Sequence, residues 1–221
     1  MNVGDVYIFS GNRCRVLMFD TEEVFYASLT HGNNSDLLKY KTVSYYRTTR
    51  DFFETNATFI ASSRLTEDEK KIHRPDLPLK LNCFREIFWT NEKFDTKSEF
   101  ISFLNSKGIT ENELEGLKID KVVIFPQGQL TSLKKPVTLE NNLAYFSATE
   151  LMFNCFDFQH QYIKKEKPYF SRFRLIQNGR EEKRLTGIGL YRLGIKGNIP
   201  SYYLGGYMSQ SDLEIDQTLI V

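Results

Sequence analysis

The chain has 221 residues, of which 41% are hydrophobic and 26% are charged, and its formal net charge is +1 at pH 7. These values are typical of a globular protein with one larger domain or two small ones. No apolar run approaches the length of a membrane-spanning helix, and Met1–Asp5 lacks the basic and apolar regions of a secretory signal. We therefore expect a cytoplasmic protein without a membrane segment.

The cysteines and histidines do not form a metal-ligand or disulfide pattern. The three cysteines lie far apart without a CxxC pair, at Cys14, Cys83 and Cys155. The three histidines share no HxH or HxxxH spacing, at His31, His73 and His160. Both observations argue against a zinc site and a disulfide scaffold, so we expect no metal and no cofactor.

The N-terminal region is predicted to form short strands joined by tight turns. The segments Val6–Phe9, Cys14–Phe19, Val24–Leu29 and Tyr40–Thr48 are rich in β-branched and aromatic residues. Four such strands predict a small SH3-like or Tudor-like β-barrel over residues 1–58. A meander that continues into a larger sheet has the same pattern, so both alternatives stay open. A barrel would offer a docking surface for protein partners.

The middle of the chain is predicted to be helical. Three capping boxes mark helix starts, at Thr66/Glu69, Thr96/Glu99 and Thr110/Glu113. Residues 148–162 repeat apolar side chains every three or four positions, which predicts an amphipathic helix with a wide buried face. Between these helices, Asp120–Phe125 is predicted to be a buried strand.

The C-terminal region is predicted to form an antiparallel sheet. Asn178-Gly179 favours a type I′ turn between Tyr169–Gln177 and a strand that begins at Arg180. Further strands are expected near residues 187–194, 199–207 and 213–221. The overall expectation is an α+β fold, with a second domain over residues 59–221.

Positive charge is concentrated between Lys164 and Lys196. This window holds ten lysines and arginines against three glutamates, a formal charge of +7, whereas the rest of the chain carries −6. Guanidinium groups bind phosphates and aromatic rings stack on unpaired bases, so the window predicts a nucleic-acid site in a non-enzymatic protein, as part of a larger assembly or alone. The candidate contacts are Lys164, Lys165, Lys167, Phe170, Arg172, Arg174, Arg180, Lys183, Arg184, Arg192 and Lys196.

Three alternatives remain from the sequence. The basic window has the composition of a solvated sheet face. It also suits a protein-interaction protein without nucleic-acid contact, such as an inhibitor, an immunity protein or an assembly factor, that docks an acidic partner. A metal-independent nuclease would need a general base, for which His160 and His31 are the candidates. Glu181–Lys183 provides the Glu-x-Lys of a metal-dependent nuclease, but the preceding strand contains no acid to bind the metal.

Overall fold

The structure is a computed structural model that describes residues 1–29, 44–84, 93–110, 116–126, 135–142, 145–163, 174–177, 180–183 and 188–206. These residues form a mixed α+β fold with four helices and antiparallel sheets, which confirms the predicted α+β class. The chain divides into two compact units. Unit 1 comprises Met1–Leu79 and Arg192–Ser201, and unit 2 comprises Lys80–Tyr191 and Tyr202–Val221. The domain boundary near residue 58 stays a prediction.

Unit 1 is built on a five-stranded antiparallel sheet in the order β4-β3-β2-β1-β5. Its strands are β1 (Val6–Phe9), β2 (Asn12–Phe19), β3 (Glu23–Ser28), β4 (Ser44–Thr49) and β5 (Thr58–Ala61). The first four confirm the predicted strands. A tight turn with positive φ at Ser10 and Gly11 joins β1 to β2. The described strands do not close into a barrel, so a meander is the arrangement that they display.

Apolar side chains cover both faces of this sheet. Helix α1 (Arg50–Asn56) places the fully buried Phe53 against Cys14 and Val16 on one face. On the other face, Leu65 and Leu79 pack with a cluster that includes Leu17 of β2. Strand β2 is therefore buried on both sides, which explains why five of its residues in succession are buried.

Helix α2 (Glu67–His73) follows in unit 1, and helices α3 (Lys97–Ser106) and α4 (Ala148–Ile163) belong to unit 2. The predicted capping boxes at the starts of α2 and α3 are both present. Helix α4 confirms the predicted amphipathic helix, because its periodic apolar residues are buried: Ala148, Leu151, Met152, Cys155 and Phe158. No described helix is long and apolar enough to cross a membrane.

A second five-stranded sheet has the order β6-β11-β12-β7-β8. Its strands are β6 (Lys80–Phe84), β7 (Lys121–Phe125), β8 (Val137–Glu140), β11 (Ile188–Lys196) and β12 (Ile199–Gly206). Gly197 and Asn198, both with positive φ, form the turn between β11 and β12, which correspond to the strands predicted near residues 187–194 and 199–207. The third capping box beyond Thr110 and the strand at 213–221 lie outside the described residues.

Candidate nucleic-acid interface and a buried polar network

The predicted basic hairpin is present as a two-stranded ribbon. Strand β9 (Arg174–Gln177) pairs with β10 (Arg180–Lys183) in antiparallel register. Arg174 lies opposite Lys183, and Arg180 lies opposite Gln177. Both pairs belong to the basic window that the sequence analysis defined. The register therefore brings two of the predicted phosphate contacts together.

Most of the other predicted contacts lie outside the described residues. These are Lys164, Lys165, Lys167, Phe170, Arg172 and Arg184, together with His31. Lys196 is described and exposed, at the end of β11 before the turn to β12. Its position agrees with a surface contact, although it belongs to unit 1 whereas β9 and β10 belong to unit 2.

Arg192 is located in the interior of unit 1 instead of on its surface. Only 2% of the residue is exposed, and its Nη2 donates a hydrogen bond of 2.9 Å to the carbonyl oxygen of His73. His73 is the last residue of α2, where the helix dipole and the carbonyl groups without helical partners favour a cation. The guanidinium group of Arg192 is therefore buried and does not lie on the surface that the sequence analysis predicted. We leave Arg192 out of the proposed contact set.

His160 is buried on α4 and is only 7% exposed. Neither ring nitrogen has a hydrogen-bond partner in the part of the chain that the structure describes. A general base must reach the proton that it removes, either directly or through one water molecule. The burial of His160 does not favour that role at a surface that binds a polynucleotide.

Unit 1 contains a buried ion pair between Arg15 and Glu69, which the sequence analysis did not predict. Arg15 Nη1 donates to Glu69 Oε1 at 2.6 Å, and both side chains are almost completely buried. Arg15 also donates to the carbonyl oxygens of Gly4 and Arg64, at 3.2 and 2.8 Å. The second oxygen of Glu69 accepts from the backbone of Thr66 at 2.7 Å and completes the capping box. One carboxylate thus joins the start of α2 to the centre of the sheet.

The same polar network continues to His73 and Tyr45. The Tyr45 hydroxyl lies 3.3 Å from His73 Nδ1. Burial lowers the pKa of His73 to about 4, despite the opposing charge of Glu69, and burial also raises the pKa of Tyr45. Gly194 faces the Tyr45 ring so closely that a Cβ there would lie 2.6 Å from it. Close packing against a ring thus accounts for this glycine, and the polar network is enclosed within unit 1.

Among the described residues, no group of three His, Cys, Asp or Glu side chains is placed to hold a metal ion. The comparisons with known proteins provide no assignment either. No protein-family model, no curated protein and no solved structure matches the chain significantly.

Proposed function

We propose that this chain is a non-enzymatic nucleic-acid-binding protein, alone or as a subunit of a larger nucleoprotein assembly. Strands β9 and β10 and the basic residues around them would contact the phosphates. The observation that carries the proposal is the register of the hairpin, in which Arg174 lies opposite Lys183 within a window whose formal charge is +6 when the buried Arg192 is left out. A phosphate would complement the positive charge of this window, because guanidinium and ammonium groups form charge-assisted hydrogen bonds with phosphate oxygens.

The proposal includes a small SH3-like or Tudor-like barrel in unit 1. Strand β5 lies beside β1 at one end of the order β4-β3-β2-β1-β5, and α1 connects the two edge strands. The short connection between the two edge strands supports this part of the proposal, because only α1 and Ala57 separate β4 from β5 in the chain. In this cytoplasmic protein the barrel would dock a protein partner, and the basic hairpin would bind the nucleic acid.

The test is a salt titration with labelled oligonucleotides. Fluorescence anisotropy would measure binding of the full chain to single-stranded RNA, single-stranded DNA and duplex DNA at several KCl concentrations. Arg174→Gln and Lys183→Gln should each weaken binding to all sequences and lower the salt slope on duplex DNA by about 0.9. Phe170→Ala should cost roughly 1–3 kcal/mol on single strands by loss of stacking and leave the slope nearly unchanged.

Lys121→Gln provides the matched control for the charge variants. Lys121 forms an exposed ion pair of 2.9 Å with Glu140 on β7 and β8, so this variant removes the same charge away from the hairpin. It should leave the salt slope unchanged. Absence of salt-sensitive binding in the parent protein would refute the proposal. Intact oligonucleotide after incubation, with and without EDTA, would agree with a binding role, and cleavage products would establish a nuclease instead.

A further inference from the structure

Unit 1 carries an aromatic face on the side of the sheet that α1 covers. We use this name for Tyr7, Tyr46, Phe52 and Phe59, which are joined through the buried rings of Phe9 and Phe53 and the partly buried ring of Tyr26. Tyr7 contacts Phe53 and Phe59 at ring-centroid distances of 5.2 and 5.5 Å. Phe9 contacts Phe52 at 5.8 Å, and Tyr26 stacks on Tyr46 at 5.6 Å.

Three rings of the aromatic face are half exposed. Tyr46 is 48% exposed, and Phe52 and Phe59 are each 54% exposed. A single exposed ring is common on globular proteins, but several exposed rings that pack on one group of inner rings are typical of an interaction surface. Aromatic residues are also enriched in the centres of protein interfaces. Each of the three exposed rings packs on one inner ring, Phe59 on Tyr7, Phe52 on Phe9 and Tyr46 on Tyr26.

The surroundings of the aromatic face are acidic. Residues 20–26 and 44–63, which carry most of these rings, contain five acidic and two basic residues. Both basic residues already pair with acids, Arg47 with Glu23 at 3.4 Å and Arg50 with Glu54 at 2.8 Å. Burial, with the nearby carboxylates of Asp5 and Glu54, raises the pKa of Tyr7. Such a field repels phosphates and attracts cations.

We propose that the aromatic face binds an arginine- or lysine-bearing peptide segment of a partner protein. A guanidinium group is attracted to the face of an aromatic ring and forms ion pairs with carboxylates, and both kinds of group are present here. Unit 1 contains an internal instance of this chemistry, since the Arg50 guanidinium lies 5.3 Å from the Phe19 ring centroid while it pairs with Glu54. The proposed binding of a basic peptide by the aromatic face is separate from the proposed binding of nucleic acid by the hairpin.

The test uses the full chain and three fluorescein-labelled ten-residue peptides, in which serine alternates with arginine, with glutamine or with glutamate. Anisotropy should show that only the arginine peptide binds in a saturable manner. Phe52→Ala and Phe59→Ala should each weaken this binding about five- to tenfold, whereas Phe52→Tyr should retain it because the ring is kept. Asp51→Asn should weaken binding about twofold and lower its salt dependence, since Asp51 is exposed beside Phe52.

The control is Tyr145→Ala, which removes a ring that is 60% exposed in unit 2 and should leave peptide affinity unchanged. Equal affinity for the arginine and glutamine peptides would overturn the proposal. So would the finding that Phe52→Ala and Phe59→Ala weaken binding to single-stranded oligonucleotides instead, because the face would then stack bases. Sedimentation that reveals a dimer disrupted by Phe59→Ala, without peptide binding, would identify a self-association surface and equally refute it.

Discussion

Replacing Glu69 with glutamine tests how strongly the folded state of unit 1 depends on keeping both partners of the buried ion pair. The two oxygens of Glu69 accept from Arg15 at 2.6 Å and from the Thr66 backbone at 2.7 Å. A glutamine has a single oxygen, so its amide NH₂ must face one of these donors in either orientation. The variant also leaves the buried guanidinium without its counter-ion. Removing one partner of a buried pair typically costs about 3–5 kcal/mol.

We expect a cost of about 3 kcal/mol, at the low end of that range, because Arg15 keeps its bonds to the carbonyl oxygens of Gly4 and Arg64. In a protein of this size, that loss corresponds to a decrease of roughly 6–12 °C in Tm. Circular dichroism melts and urea titrations of the full chain would measure both quantities.

Glu99→Gln provides a matched control in the capping box of α3. Glu99 is exposed and accepts hydrogen bonds from the backbone of Asp95 and Thr96, at 2.9 and 3.4 Å. An amide oxygen replaces that acceptor, so the expected change is below about 0.5 kcal/mol. If Glu69→Gln and Glu99→Gln melt within a degree of each other, the reasoning about the buried pair is wrong.

Three further predictions follow from burial. Because burial lowers the pKa of His73 from 6.5 to about 4, unfolding takes up a proton, and stability should fall by up to about 3 kcal/mol as the pH decreases from 6.5 to 4. Urea titrations between pH 6.5 and 4 should show that the free energy of unfolding of His73→Asn changes less with pH than that of the parent protein. Leu151→Ala should cost about 2–5 kcal/mol by calorimetry, whereas the exposed Asp157→Ala on the same helix should not. Burial raises the pKa of Cys14 to about 12, and Cys155 is also buried. Alkylation of the native protein at pH 8 should therefore leave both thiols unmodified. Rapid modification of either cysteine, detected by peptide mapping, would contradict their burial.

Local order could be predicted from the sequence because the interactions that produce it connect neighbouring residues. Thr66 and Glu69 satisfy each other's backbone donors within three positions, as do Thr96 and Glu99, without help from the rest of the chain. The periodicity of α4 and the turn residues between β9 and β10 are equally local. The sequence by itself therefore determined the capped helices, the amphipathic helix and the basic hairpin.

Only the tertiary structure determined which side chains are buried and which distant residues pair with each other. Phe52 and Phe53 are adjacent, yet one is 54% exposed and the other fully buried, because α1 turns only one of them toward the sheet. Arg15 meets Glu69 across 54 positions, and Arg192 meets His73 across 119 positions. A charge count assigns Arg192 to a basic surface, whereas in the structure its guanidinium group donates to the carbonyl oxygen of His73 at the end of α2, inside unit 1. The cost of desolvating a charge is met only where the folded chain brings suitable acceptors to it, and distant segments provide those acceptors.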